Sequence, residues 1–171
     1  MKSTKPQHSR ASFFRRLAAM VYDVLVAVAV GMSAAMVMLL AMLLLVENNI
    51  LSNMGYDHFS DLMQHSFVYQ LVLQIWVGLW IVGFFLWFWR NGGQTIGMRA
   101  WRLRLFSTND KPFGYRRAFL RLVFSFGGLG TLLVLLDFKS KQSLQDRIAG
   151  TEILMLSKED NHHKAWKGLQ D

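Results

Sequence analysis

The chain has no cysteine. That excludes a disulfide framework and any thiolate metal centre. Charge is also scarce: only 18% of the 171 residues are Asp, Glu, Lys or Arg, against 53% hydrophobic. A soluble domain carries roughly a quarter charged residues. With a mean hydropathy of +0.24, the composition points to one small integral membrane protein. Enzymatic signatures are missing too. There is no serine-histidine-acid set. The glycine-rich turn Asn91-Gly92-Gly93-Gln94-Thr95-Ile96-Gly97 lacks the lysine of a phosphate-binding loop. No internal repeat or low-complexity tract occurs. Neither an enzyme nor a cofactor is expected.

Acids are outnumbered, leaving a formal net charge of +8. In a soluble protein that excess would raise nucleic acid as a partner. In a membrane protein, lysines and arginines gather on the cytoplasmic side and meet anionic lipid there. The partner expected is the bilayer, not nucleic acid.

What is present starts with a long apolar segment. Residues 24–46 carry no charge, and about 20 apolar residues cross a bilayer. The run is too long for the apolar region of a signal peptide and has no small-residue cleavage site. It reads as a retained helix over residues 13–46, entered from a disordered basic N-terminus, residues 1–12. Arg16 stands at its entrance and Asp23 seven residues on. Seven residues are two turns, so both side chains share a face, roughly 10 Å apart along the axis. A carboxylate at that depth costs a few kcal/mol if it faces lipid, so Asp23 should face protein, water or a partner. Ala27, Gly31 and Ala35, at four-residue spacing, allow close approach of another helix. The nearby methionines (Met32, Met36, Met38 and Met42) suit adaptable packing better than a soft-metal path.

Residues 47–65 carry Glu47, Asp57 and Asp61 but no lysine or arginine, which places them outside the cytoplasm. His58, Asp61 and His65 share a helical face, but without a fourth ligand a solvated loop is favoured and no metal site is assigned. Residues 66–89 form a second spanning stretch. Gln70 and Gln74 lie one turn apart near its outer end, able to hydrogen-bond across to the first helix or to line a polar pocket. Trp80, Trp87, Trp89 and Arg90 mark its cytoplasmic exit. In the basic stretch that follows, Trp101-Arg102-Leu103-Arg104-Leu105 alternates like a strand, and so does Thr151-Glu152-Ile153-Leu154-Met155-Leu156. The two are expected to pair as a small cytoplasmic sheet with the arginines toward headgroups or nearby carboxylates. Between Arg121 and Asp137 lie only 15 uncharged residues, short for a span, and Gly127, Gly128 and Gly130 interrupt them. Charge bias favours a re-entrant or broken helix over residues 118–137; a third complete span is the alternative. The fold class expected is an all-α membrane protein: two full transmembrane helices, a short re-entrant or third membrane helix, and a small cytoplasmic β-hairpin or sheet. Residues 157–171 read as a disordered polar tail.

Several separated motifs resemble one family. Arg16 begins the first helix, Asp23 lies within it, and Leu144-Gln145-Asp146-Arg147-Ile148-Ala149-Gly150-Thr151 follows the last apolar segment. Gly93-Gln94-Thr95-Ile96-Gly97-Met98-Arg99 and Arg121 match in between. Together they resemble the RDD family of small bacterial membrane proteins, named for one arginine and two aspartates. The resemblance covers roughly residues 10–156, within a membrane domain drawn at 13–156. It implies that Arg16, Asp23 and Asp146 are the name-giving residues. Arg99 departs from the pattern in type but keeps its positive charge. The resemblance further implies a multi-pass protein of the bacterial inner membrane, with its N-terminus cytoplasmic, and cation/proton exchange has been proposed for some members.

Three readings follow from the residues. In the first, Asp23 alternates between a proton and a monovalent cation, with Arg16 or Arg121 tuning it and Gln70 and Gln74 supplying neutral oxygens. Two or three spans offer few walls for a pathway, so this reading implies a homo-oligomer. In the second, the chain is a small membrane partner for another protein or for anionic lipid. In the third, Arg16, Asp23, Asp146 and Arg121, with Arg99 in support, form a buried polar network that docks the first helix on the cytoplasmic layer.

Overall fold

The computed structural model describes residues 9–108, 114–125, 129–131, 134 and 142–161. Among the described residues the helices with defined bounds are α1 (Phe13–Glu47), α2 (Phe59–His65), α3 (Phe67–Gly92), α4 (Ile96–Ala100), α5 (Tyr115–Ser125) and α6 (Leu144–Ala149). The strands are β1 (Leu103–Ser107) and β2 (Thr151–Met155). The chain divides into two units, residues 26–84 and residues 1–25 with 85–171.

Helices α1 and α3 have 35 and 26 residues. At 1.5 Å per residue they reach about 52 and 39 Å, longer than the ~30 Å hydrocarbon core. Of their most apolar windows, only 17% and 0% is buried in protein. Val28, Met32, Met36, Leu40 and Leu44 on α1, and Val68, Ile75 and Leu79 on α3, lie exposed. A soluble helix hides its apolar stripe; these two belong in lipid.

In the unit of residues 26–84, α1 and α3 pack where Gly31 leaves room. A Cβ there would stand 3.4 Å from side-chain atoms of both Val77 and Ile81. Of the three small residues spaced along α1, Gly31 is the one that faces α3 in this way. Further along, Met42, Leu62 and Tyr69 form a buried cluster with Met38 and Met63 packed on it. Asn49, at φ 56°, closes α1: its N–H reaches Val46 O at 3.0 Å and the Ile50 N–H reaches Leu45 O at 2.9 Å. This is a Schellman ending, with asparagine in the left-handed position usually given to glycine. The connection expected over 47–65 thus contains a short helix, α2.

The other unit is a small layer of helices around a two-stranded sheet. β1 and β2 pair antiparallel from Leu103 opposite Met155 to Ser107 opposite Thr151. The strand begins two residues later than the alternation predicted, because Arg102 takes a left-handed φ of 56° and turns the chain out of α4. Of the arginines expected toward headgroups or nearby carboxylates, Arg104 is buried, with Gly93 beside its stem. On the far edge of β2, the Ala11 N–H donates to Ile153 O at 3.0 Å and the Met155 N–H to Ser9 O at 2.9 Å. Residues 9–11 are therefore held along β2 through an isolated bridge of Arg10 with Leu154, although the sequence reads as disordered there; residues 1–8 lie outside the described residues. Similarly, Asn161 from the expected tail donates to Arg99 O at 3.1 Å, and residues 162–171 lie outside the described ones. The apolar core of this unit joins Ala11, Ala19, Trp89, Met98, Leu103, Leu105, Ala118 and Ile153.

Helix α5 has 11 residues, about 17 Å, too short to cross. Residues 129–131 make a 3-10 turn. Residues 126–128, 132–133 and 135–141, on which the choice between a re-entrant helix and a third span turns, lie outside the described residues.

Candidate functional site

The two aspartates of the motif have different partners. Asp146 stands in the first turn of α6, where Ser143 and Asp146 form a capping box: the Asp146 N–H donates to Ser143 Oγ at 3.3 Å and the Ser143 N–H to Asp146 Oδ2 at 3.2 Å. Two arginines converge on the same carboxylate. Arg16 Nη1 donates to Oδ2 at 2.5 Å, and Arg121 Nη1 donates to Oδ1. Asp146 is fully buried, and each arginine is 3% exposed.

Each arginine reaches further. Arg16 Nε donates to Ala11 O at 3.2 Å. Arg121 Nη1 donates to Thr151 Oγ1 at 2.8 Å, and its guanidinium lies 5.5 Å from the centroid of the Trp89 ring. One carboxylate thus joins the start of α1, α5, α6, the first residue of β2 and the end of α3. Burial alone would raise the Asp146 pKa, but the charges of Arg121 and Arg16 and their hydrogen bonds outweigh it and hold it at about 2. At neutral pH this group is a fixed anion.

Asp23 is held by neutral donors. Thr95 Oγ1 donates to its Oδ2 at 2.5 Å, and the Gly97 N–H donates to Oδ1 at 2.8 Å. Thr95 Oγ1 also accepts from the Met98 N–H at 3.3 Å, capping α4. The carboxylate therefore clasps the N-terminus of α4 onto α1. Gly97 makes the clasp possible: a Cβ there would collide with Ala19 O and lie 2.9 Å from Asp23 Oδ1. Arg16 and Asp23 do share a face of α1, yet they grip different elements. The single four-residue network expected from sequence is two separate sets, because the two-turn spacing puts each acid-base group beside a different part of the layer.

The supporting residues separate as well. Arg121 is central. Arg99 is exposed on α4, and its backbone oxygen accepts from Asn161. Gln70 Nε2 donates to Met63 O and Gln64 O at 3.0 and 2.8 Å, tying α2 to α3, and Gln74 is exposed. Neither glutamine is engaged with a carboxylate among the described residues. His65 Nδ1 sits 2.9 Å from Asp61 O and its ring stacks on Tyr56. Among the described residues no three His, Cys, Asp or Glu side chains cluster as metal ligands. Thr95 and Gly97 belong to the sequence motif, but their part in the clasp shows only in the fold. Ser143 has no role in the sequence reading, although Ser-x-x-Asp at a helix start is a capping signature.

The class is thus a membrane protein with two helices long enough to span. The opening turns of the first, up to Asp23, are held by an Arg/Asp/Arg cluster and an Asp/Thr/Gly clasp within a small helix-and-sheet layer. The RDD family matches residues 10–150, and the chain belongs to that family. No curated protein and no solved structure matches it.

Proposed function

We propose that the protein is a small docking partner for another membrane protein, and that its Arg/Asp cluster is the fastening that keeps its polar layer rigid. The observation that carries this reading is an apolar groove of about 400 Å³ in the spanning region. Val26, Ala29, Val30, Ser33, Ala34 and Val37 of α1 line it, with Trp76 and Trp80 of α3. The polar atoms there are already used: Ser33 Oγ donates to Ala29 O at 2.9 Å and Trp76 Nε1 to Ala34 O at 3.1 Å. Small residues in a membrane helix let a second backbone approach closely, so the groove suits an apolar helix. In this reading the protein is not an enzyme. Its basic layer lies on the cytoplasmic side of the bacterial inner membrane, following the positive-inside rule.

The chain has no cysteine of its own, so Ser33→Cys introduces a single thiol for cross-linking in native membranes. A discrete hetero-adduct, lost when Ala29→Trp fills the groove, supports docking. An adduct of twice the chain's mass reassigns the groove to self-association. Absence of any discrete adduct leaves it to lipid and removes the reading.

Cation/proton exchange is the second reading. It is favoured by Asp23, a buried carboxylate within α1 whose described partners are both neutral. Reconstituted vesicles would show proton flux on adding Na⁺, K⁺ or Li⁺, lost in Asp23→Asn. Absence of flux from folded native protein removes this reading.

A further inference from the structure

Helix α5 is turned the opposite way from a helix of a soluble protein. Its inward face carries Ala118 and Arg121, both buried. Its outward face carries Tyr115, Phe119 and Val123, which are 51%, 52% and 47% exposed. These three recur every four residues and so form one stripe. Arg116, also exposed, stands at the edge of that stripe, and the helix contains no acid.

The depth of this face follows from the spanning helix beside it. The Arg90 guanidinium, two residues before the end of α3, lies 4.5 Å over the ring of Tyr115. The start of α5 is therefore level with the place where α3 leaves the hydrocarbon, beside the exposed Trp87. Tyrosine and tryptophan favour that level. An apolar stripe edged by arginine is the pattern of a helix lying in the plane of an interface, its stem in acyl chains and its cation at phosphates.

We infer that α5 is an interfacial helix that seats the polar layer on an anionic lipid leaflet, with Tyr115, Phe119 and Val123 among the acyl chains and Arg116 at a headgroup phosphate. The inference goes beyond the docking reading and does not depend on it, because the groove lies in a different unit of the chain.

The test uses nitroxide labels on Phe119→Cys and Val123→Cys, each a single-cysteine protein without further change, in vesicles of phosphatidylcholine with and without phosphatidylglycerol. Collision with oxygen and with a water-soluble nickel chelate is then read by electron spin resonance. A label on Lys158→Cys, in an exposed turn, serves as the water-facing reference. The expected result is oxygen access with nickel shielding at 119 and 123, and nickel access at 158. In the Phe119→Cys protein, Arg116→Gln should reduce the nickel shielding in vesicles containing phosphatidylglycerol and leave it unchanged in neutral ones. Nickel access at both stripe positions overturns the inference, since the face is then in water. Shielding from both reagents also overturns it, since protein then covers the stripe. Shielding that ignores both Arg116 and phosphatidylglycerol overturns the anionic part.

Discussion

Replacing Asp146 by asparagine is the sharpest perturbation of the cluster. Asparagine keeps the shape and an acceptor oxygen for the Ser143 N–H. It removes the charge that faces Arg16 and Arg121, each 3% exposed. Two buried guanidiniums would then face each other without their anion. Removing one partner of a buried pair costs about 3–5 kcal/mol, a large share of a stability of roughly 5–15 kcal/mol. The capping box contributes far less: Ser143→Ala should lose about 1 kcal/mol. Unfolding in mixed micelles with rising SDS fraction, followed by circular dichroism, would measure both. Charge is distinguished from shape by a second change. Asp146→Asn with Arg121→Gln leaves one arginine beside neutral partners, and the double variant should recover about 1–2 kcal/mol relative to Asp146→Asn. Two outcomes would refute the reasoning: Asp146→Asn within about 1 kcal/mol of the native protein, or a double variant that loses the full sum of its parts.

Acid unfolding should report the same group. The Asp146 carboxyl titrates at about 2 when folded and near 3.9 when unfolded. Its stabilisation is therefore complete above pH ~4 and lost as pH falls toward ~2, by about 2 kcal/mol, a slope that Asp146→Asn should flatten. Gly97→Ala should lower stability by about 1–3 kcal/mol, because the new methyl has Ala19 O and Asp23 in its place; a neutral result in the same unfolding assay would mean that α4 does not pack on α1 as described. Exchanging charges by Arg16→Asp with Asp23→Arg should give no recovery of expression over the single variants, since the two side chains have different partners. Recovery would show direct pairing.

The spanning helices were legible because a run of apolar residues is both cause and signal: a helix that faces lipid over that length must be apolar almost throughout. The pairing of β1 with β2 was legible from two alternating stretches. The start of β1 was not, since a left-handed Arg102 leaves no mark in the hydropathy pattern. Arg16, Asp23 and Asp146 stood out as charges in apolar surroundings. Their partners did not, because these are set by which elements meet. Helical spacing puts Arg16 and Asp23 on one face but is silent on whether that face meets one neighbour or two. Residues 9–11 read as part of a basic leader, yet an open edge of β2 holds their backbone whatever their side chains. The capping serine, Ser143, is readable from its spacing to Asp146.

The two acids separate structure from titration in a way that makes Asp23→Asn informative. Asp146 is a fixed anion between two cations, so any neutral replacement there tests folding. Asp23 meets only a hydroxyl and a backbone N–H among the described residues. An asparagine oxygen can accept from the Gly97 N–H, and its amide can donate to Thr95 Oγ1 once that hydroxyl rotates. The hydroxyl has two lone pairs, enough for the amide and for the Met98 N–H it already accepts. Only the hydroxyl proton is left over, a loss on the order of 1 kcal/mol. The clasp therefore survives the substitution while the proton-binding group does not. Asp23→Leu, by contrast, removes both acceptors and should release α4. A protein whose Asp23→Asn form unfolds close to native, with Asp23→Leu far below, uses Asp23 as a clasp. Only in that case does a flux lost in Asp23→Asn speak for exchange, because misfolding has been excluded as its cause.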